Sequence, residues 1–115
     1  MSRSPADYLR HILDETTYLN EKSTGLSRED FLGDETIQRA FVRSLEVIGE
    51  ATKNLSSEFR TEHDHVDWRA IAGMRDRLIH GYFGVDYDIV WDVVVNKIPE
   101  LRRAVTQLIE SRDAK

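Results

Sequence analysis

The side chains best suited to chemistry crowd into one octapeptide, Arg75-Asp76-Arg77-Leu78-Ile79-His80-Gly81-Tyr82. An imidazole, with an unperturbed pKa near 6.5, can take or give a proton close to neutral pH. A guanidinium keeps its charge and presents a rigid fork of donors to an oxyanion. The chemistry open to such a pair is proton transfer beside a stabilised negative charge. Tyr82 adds a ring and a hydroxyl two residues after His80. The chain has no cysteine, which removes thiol nucleophiles, cysteine zinc sites and disulfides. His63 and His65, with Asp64 and Asp67, lack the spacing that puts ligands on one helix face, so they are weak candidates for a metal. No metal and no cofactor is expected.

The octapeptide also stands apart in charge. The chain carries −5 overall, which weighs against broad affinity for nucleic acid. Residues 1–67 hold eight Lys and Arg against fourteen Asp and Glu, a balance of −6. Residues 68–82 hold Arg69, Arg75 and Arg77 against Asp76, a balance of +2. Residues 83–115 return to −1. The basic stretch coincides with the unusual residues.

Helices must position these groups. With 115 residues, 40% hydrophobic and 32% charged, the chain reads as a single globular domain over 1–115. Two prolines and six glycines are too few for the turns of a β-sandwich. No apolar run approaches the roughly 18 residues that span a membrane. The first residues run into charged helix without a signal peptide, so a cytoplasmic location is expected. Ser4 and Pro5 suit a helix start, and apolar spacing predicts a helix over about 5–23, ending near Gly25. Ser27 to Asp30 resembles a capping box opening a short turn. Asp34 caps a helix over about 34–55 with an apolar stripe through Ile37, Phe41, Leu45, Ile48 and Leu55. Gly49 interrupts it at a cost near 1 kcal/mol against alanine, which either a close helix crossing or mere tolerance would explain. Residues 56–66 read as a polar loop. One helix is expected over about 68–80, capped by Asp67 and ended by Gly81. Asp86 or Asp88 opens a short helix through Val90 and Val94, although Ile89–Asn96 is rich in β-formers. Pro99 stands near the start of a last helix. The expected fold is all-α, an up-and-down bundle of about four to five helices.

On a straight helix over 68–80, Arg75 falls on the apolar face between Ile71 and Ile79. A charge there is costly unless paired or directed into a cleft. His80 lies about 140° away, so the two share one site only if the helix ends or distorts before Gly81, or if a dimer brings the faces together. Plainer roles exist for each residue. Arg75 could be a structural arginine paired with Glu46, Glu50 or Asp76. His80 suits a helix C-terminus. Tyr82 suits the core. Asp76 could pair with His80 one turn on, or orient its ring. Glu46 and Glu50 could form a solvated face, an interface or a pocket wall. Trp68 and Trp91 suit the core or a dimer contact.

The octapeptide matches Arg-x4-His-x-Tyr, and in this the chain resembles the HepT toxins of the HEPN superfamily. Arg43 to Ala51, Trp68 to Met74, Gly81 to Asp86, Ile89 to Trp91 and Ile98 to Leu101 resemble the family's blocks in order. The family often has a proline before the tryptophan, where this chain has His63-Asp64-His65-Val66-Asp67. The resemblance implies a homodimer with the motif lining a cleft near its axis. It implies metal-independent cleavage of RNA, with tRNA among the targets, by Arg75 and His80. Asp76, Arg77, Glu46 and Glu50 would support them. It also implies an MntA-type nucleotidyltransferase antitoxin that silences the toxin by moving AMP onto Tyr82. The alternative is a non-catalytic HEPN module that binds nucleotide or docks such a transferase.

Overall fold

The computed structural model describes residues 4–79 and 84–113. Helix α1 (Pro5–Ser23) starts at Ser4, whose backbone N–H donates to the Asp7 carboxylate at 3.2 Å. Past its end, Gly25 takes φ +80°, a left-handed conformation that suits glycine. The capping box at Ser27 opens α2 (Arg28–Leu32), with the Asp30 N–H donating to Ser27 Oγ at 3.0 Å. Asp34 accepts from the Ile37 N–H at 3.1 Å and opens α3 (Glu35–Lys53). Buried Gln38, outside the apolar stripe, donates to the carbonyls of Phe31 and Leu32 at 3.1 and 3.0 Å. It thereby satisfies acceptors that the end of α2 leaves free.

Helices α1 and α3 run antiparallel. Tyr18 meets Phe41 with ring centres 6.5 Å apart, and Ser44 donates to the Glu15 carboxylate at 2.8 Å. The residue numbers in contact fall along one helix as they rise along the other. Fully buried Phe31 ties the short helices to this pair. Its ring lies 5.3 Å from Phe41, 5.3 Å from Trp91 and 6.3 Å from Tyr87.

Two stretches differ from the sequence reading. Residues 56–66 are not all loop: α4 (Ser57–Glu62) forms because Ser56 caps it and Phe59 buries its ring against Trp68. Nor is 68–80 one helix. It splits at Gly73 into α5 (Trp68–Ala72) and α6 (Met74–Leu78). A Cβ on Gly49 would stand 3.5 Å from the Ile71 carbonyl and 3.7 Å from that of Ala72. Helices α3 and α5 do cross here, but at ordinary van der Waals distances that tolerate Gly49 without demanding it. The split resets the helical phase, so Met74 joins Leu78, already expected on the apolar face, in the core.

The chain leaves α6 at Ile79 in extended conformation, φ −111° and ψ 109°. Ile79 pairs with Val85 in an isolated antiparallel bridge, and the Asp86 N–H donates to the Leu78 carbonyl at 2.9 Å. Asp86 then caps α7 (Tyr87–Asp92), accepting from the Ile89 N–H at 3.2 Å. The β-rich Val93–Lys97 is a π-helical turn leading without a break into α8 (Ile98–Asp113). There the Ile98 N–H bonds to the Val93 carbonyl, five residues back. Pro99 accounts for the wide turn: it lacks an N–H and its ring crowds the carbonyl four residues earlier. Helix α8 packs on α1, and Arg102 Nε donates to Thr17 Oγ1 at 3.1 Å. Among the described residues the fold is all-α, a bundle of three long rods braced by short helices. No helix among them is long and apolar enough to cross a membrane.

Candidate active site

Helix α6 carries Arg75 on its exposed side, not on the apolar face that a straight helix gives it. The break at Gly73 is the cause. Arg75 Nε donates to Glu46 Oε2 of α3 at 3.4 Å, with the two side chains 52% and 32% exposed. Such a half-solvated pair contributes under about 1 kcal/mol to folding, so stability gives little reason to hold an arginine here.

Arg75, Glu46 and Glu50 line one groove of about 480 Å³, together with Tyr8, His11, Arg43, Val47, Ala51 and Asn54. Three candidates from the sequence are thus brought together. Tyr8, His11 and Arg43 were not singled out. Their signal is a pair of facing rows, Tyr8 and His11 on α1 against Arg43, Glu46 and Glu50 on α3, each at helical spacing. Recognising it requires the register of the two helices, which the sequence does not state.

Arg77 is not part of this groove. Its Nη2 donates to the Ala70 carbonyl at 3.2 Å, and it lines a second cavity of about 530 Å³ between α5–α6 and α7–α8. Asp76 is exposed, and its backbone N–H bonds to the Gly73 carbonyl at 3.1 Å. His80 and Tyr82 lie outside the described residues. Helix α6 ends at Leu78 and Ile79 is extended, so the wheel of a continuous helix over 68–80 does not describe this stretch.

The histidines of the 63–65 segment have structural surroundings. The His63 ring packs 4.5 Å from that of Phe59, and its carbonyl accepts from Trp68 Nε1 at 2.9 Å. Among the described residues no three His, Asp or Glu side chains converge as metal ligands. Trp68 is buried in the core, and half-buried Trp91 packs against it.

The site is a short helix presenting a half-exposed arginine to a polar groove, within an all-helical bundle. The family model described as "Ribonuclease HepT-like" matches residues 12–108, and the chain belongs to that family. It is 53% identical over 108 residues to "Putative RNase TTE0752" of Caldanaerobacter subterraneus subsp. tengcongensis, covering 94% of this chain and 96% of that one. It is 44% identical over 102 residues to "Probable ribonuclease HepT" of Thermococcus cleftensis, covering 89% and 93%. To "Putative RNase MJ0127" of Methanocaldococcus jannaschii it is 40% identical over 103 residues, covering 90% and 85%. No solved structure matches the chain.

Proposed function

We propose that the chain is a metal-independent endoribonuclease, the toxin of a toxin–antitoxin pair. The observation that carries the reading is an exposed arginine at the edge of an open groove, five residues before His80, in a chain matched over 12–108 by a ribonuclease family. His80 takes the proton of a ribose 2′-OH. The 2′ oxygen attacks the adjacent phosphorus, and Arg75 stabilises the charge that builds on the phosphoryl oxygens. The 5′ oxygen of the next nucleotide departs, leaving a 2′,3′-cyclic phosphate. The departing 5′ oxygen takes its proton from water or from the His80 of a second subunit. Glu46 and Glu50 form the groove wall behind Arg75, and Asp76 and Arg77 flank it on α6.

The working form is a homodimer, and tRNA is the substrate class. An MntA-type nucleotidyltransferase is the antitoxin. In its reaction the Tyr82 hydroxyl attacks the α-phosphorus of ATP, releasing pyrophosphate and leaving AMP on the ring. The added bulk and negative charge would keep an RNA phosphate from Arg75.

The test is cleavage of total tRNA in EDTA by dimeric chain, checked by intact mass for bound AMP. Wild type should cut, whereas His80→Ala and Arg75→Ala should not while remaining folded dimers. Equal cutting by both variants would end the assignment. The partner transferase with ATP should add AMP to wild type and not to Tyr82→Phe. The net charge of −5 favours a second reading, a non-catalytic module that docks the transferase. It predicts a stable complex and no RNA product at any concentration of chain.

A further inference from the structure

The contact between Arg75 and Glu46 is made through one particular atom. Of the three guanidinium nitrogens, Nε donates to the carboxylate, at 3.4 Å. Among the described residues neither terminal nitrogen of Arg75 has a protein partner. The carboxylate comes from the middle of α3, a 19-residue helix whose neighbouring positions Leu45 and Ile48 are buried. Arg75 instead rides on α6, five residues long and set between the break at Gly73 and extended Ile79. A half-exposed arginine side chain samples several staggered rotamers unless a partner holds it. A grip at Nε leaves the fork of terminal nitrogens for another ligand, whereas a bidentate grip on that fork would block it.

We propose that Glu46 is the positioning residue of the ribonuclease. It fixes the guanidinium plane of Arg75 so that the two terminal nitrogens meet the scissile phosphate at the groove mouth. This rests on the reading of Arg75 as the phosphate-stabilising group. Catalysis of this kind depends on donors set in place before the reaction, and a displacement of about 1 Å can cost about a hundredfold in rate. Glu46 itself touches no reacting atom. Its value is orientation, so a neutral acceptor of the same shape should serve nearly as well.

The experiment compares wild type, Glu46→Ala and Glu46→Gln on a fluorescent single-stranded RNA oligonucleotide cut by wild type, with thermal melting alongside. Glu46→Ala should lower kcat about 10- to 100-fold with KM within about twofold, because the phosphate still binds but meets a wandering fork. Glu46→Gln should recover most of the rate, since its amide oxygen accepts from Nε. Both should melt close to wild type. A loss confined to KM, an equal loss in both variants, or a rate unchanged or raised in Glu46→Ala would overturn the proposal. A raised rate would mean that Glu46 competes with the phosphate for Arg75. If wild type cuts no RNA, the ribonuclease reading falls and the proposal with it. If wild type cuts and Glu46→Ala cuts equally, only the proposal falls.

Discussion

Arg75 and Arg77 are two residues apart and have opposite surroundings. Arg75 reaches across to α3 at a groove, whereas Arg77 folds back to the Ala70 carbonyl just ahead of the helix break. Substituting them should therefore give different results. Arg75→Lys keeps the charge and loses the planar fork, so cleavage should fall by at least about tenfold with the melting point nearly unchanged. Arg77→Ala removes a hydrogen bond near the hinge of α5 and α6. It should cost about 1 kcal/mol in urea denaturation while leaving much of the cleavage rate. If Arg77→Ala silences the chain and Arg75→Lys does not, the two roles have been exchanged. The octapeptide singles out Arg75, and Glu46 is among the partners that the sequence offers it. The exposed placement of Arg75 was not legible, because the helical wheel assumed an unbroken helix and Gly73 breaks it.

At the scale of elements, caps and glycines make the sharper predictions. Gly49 is buried where α3 crosses α5, yet a methyl group there would meet only ordinary contacts at 3.5 and 3.7 Å. Gly49→Ala should therefore gain helix propensity without a clash and raise stability by about 0.5–1 kcal/mol, read as a higher Tm. A branched or longer side chain would push on the Ile71 and Ala72 carbonyls, so Gly49→Leu should lose about 1–3 kcal/mol. A fall in Tm for Gly49→Ala would mean that the crossing has no room for even one carbon. Asp86→Ala removes the cap of α7 and should cost about 1 kcal/mol in urea denaturation. The caps at Ser4, Ser27, Asp34 and Asp67 and the stripe of α3 could be read from sequence, since each depends on residues within a turn or two. The helix at 57–62 was missed: its Ser56 cap is a local signal, but so short and polar a helix depends as well on the packing of Phe59 on Trp68 in α5. A helix through Val90 and Val94 could be read despite their β preference, and burial of Val90, Val93 and Val94 beneath the bundle accords with it. Its continuation as a π turn into α8 could not be read.

Across the whole molecule, Phe31 is the junction of the aromatic cluster that joins α2, α3 and α7. Phe31→Ala should cost about 3–5 kcal/mol in chemical denaturation, a large share of the roughly 5–15 kcal/mol that holds a domain of this size. A loss under about 1 kcal/mol would show that the cluster repacks around the gap. By itself the sequence determined the all-helical class, the extents of α1 and α3, their caps and the motif that places the chain among HepT-like ribonucleases. Those features depend on local spacing and side-chain chemistry, which a linear chain carries in full. Only the tertiary structure decided that α5 and α6 are separate, that Arg75 faces out toward Glu46, and that Tyr8, His11 and Arg43 share its groove. Each of these depends on the register between helices far apart in sequence, and that register is set by packing the whole core at once.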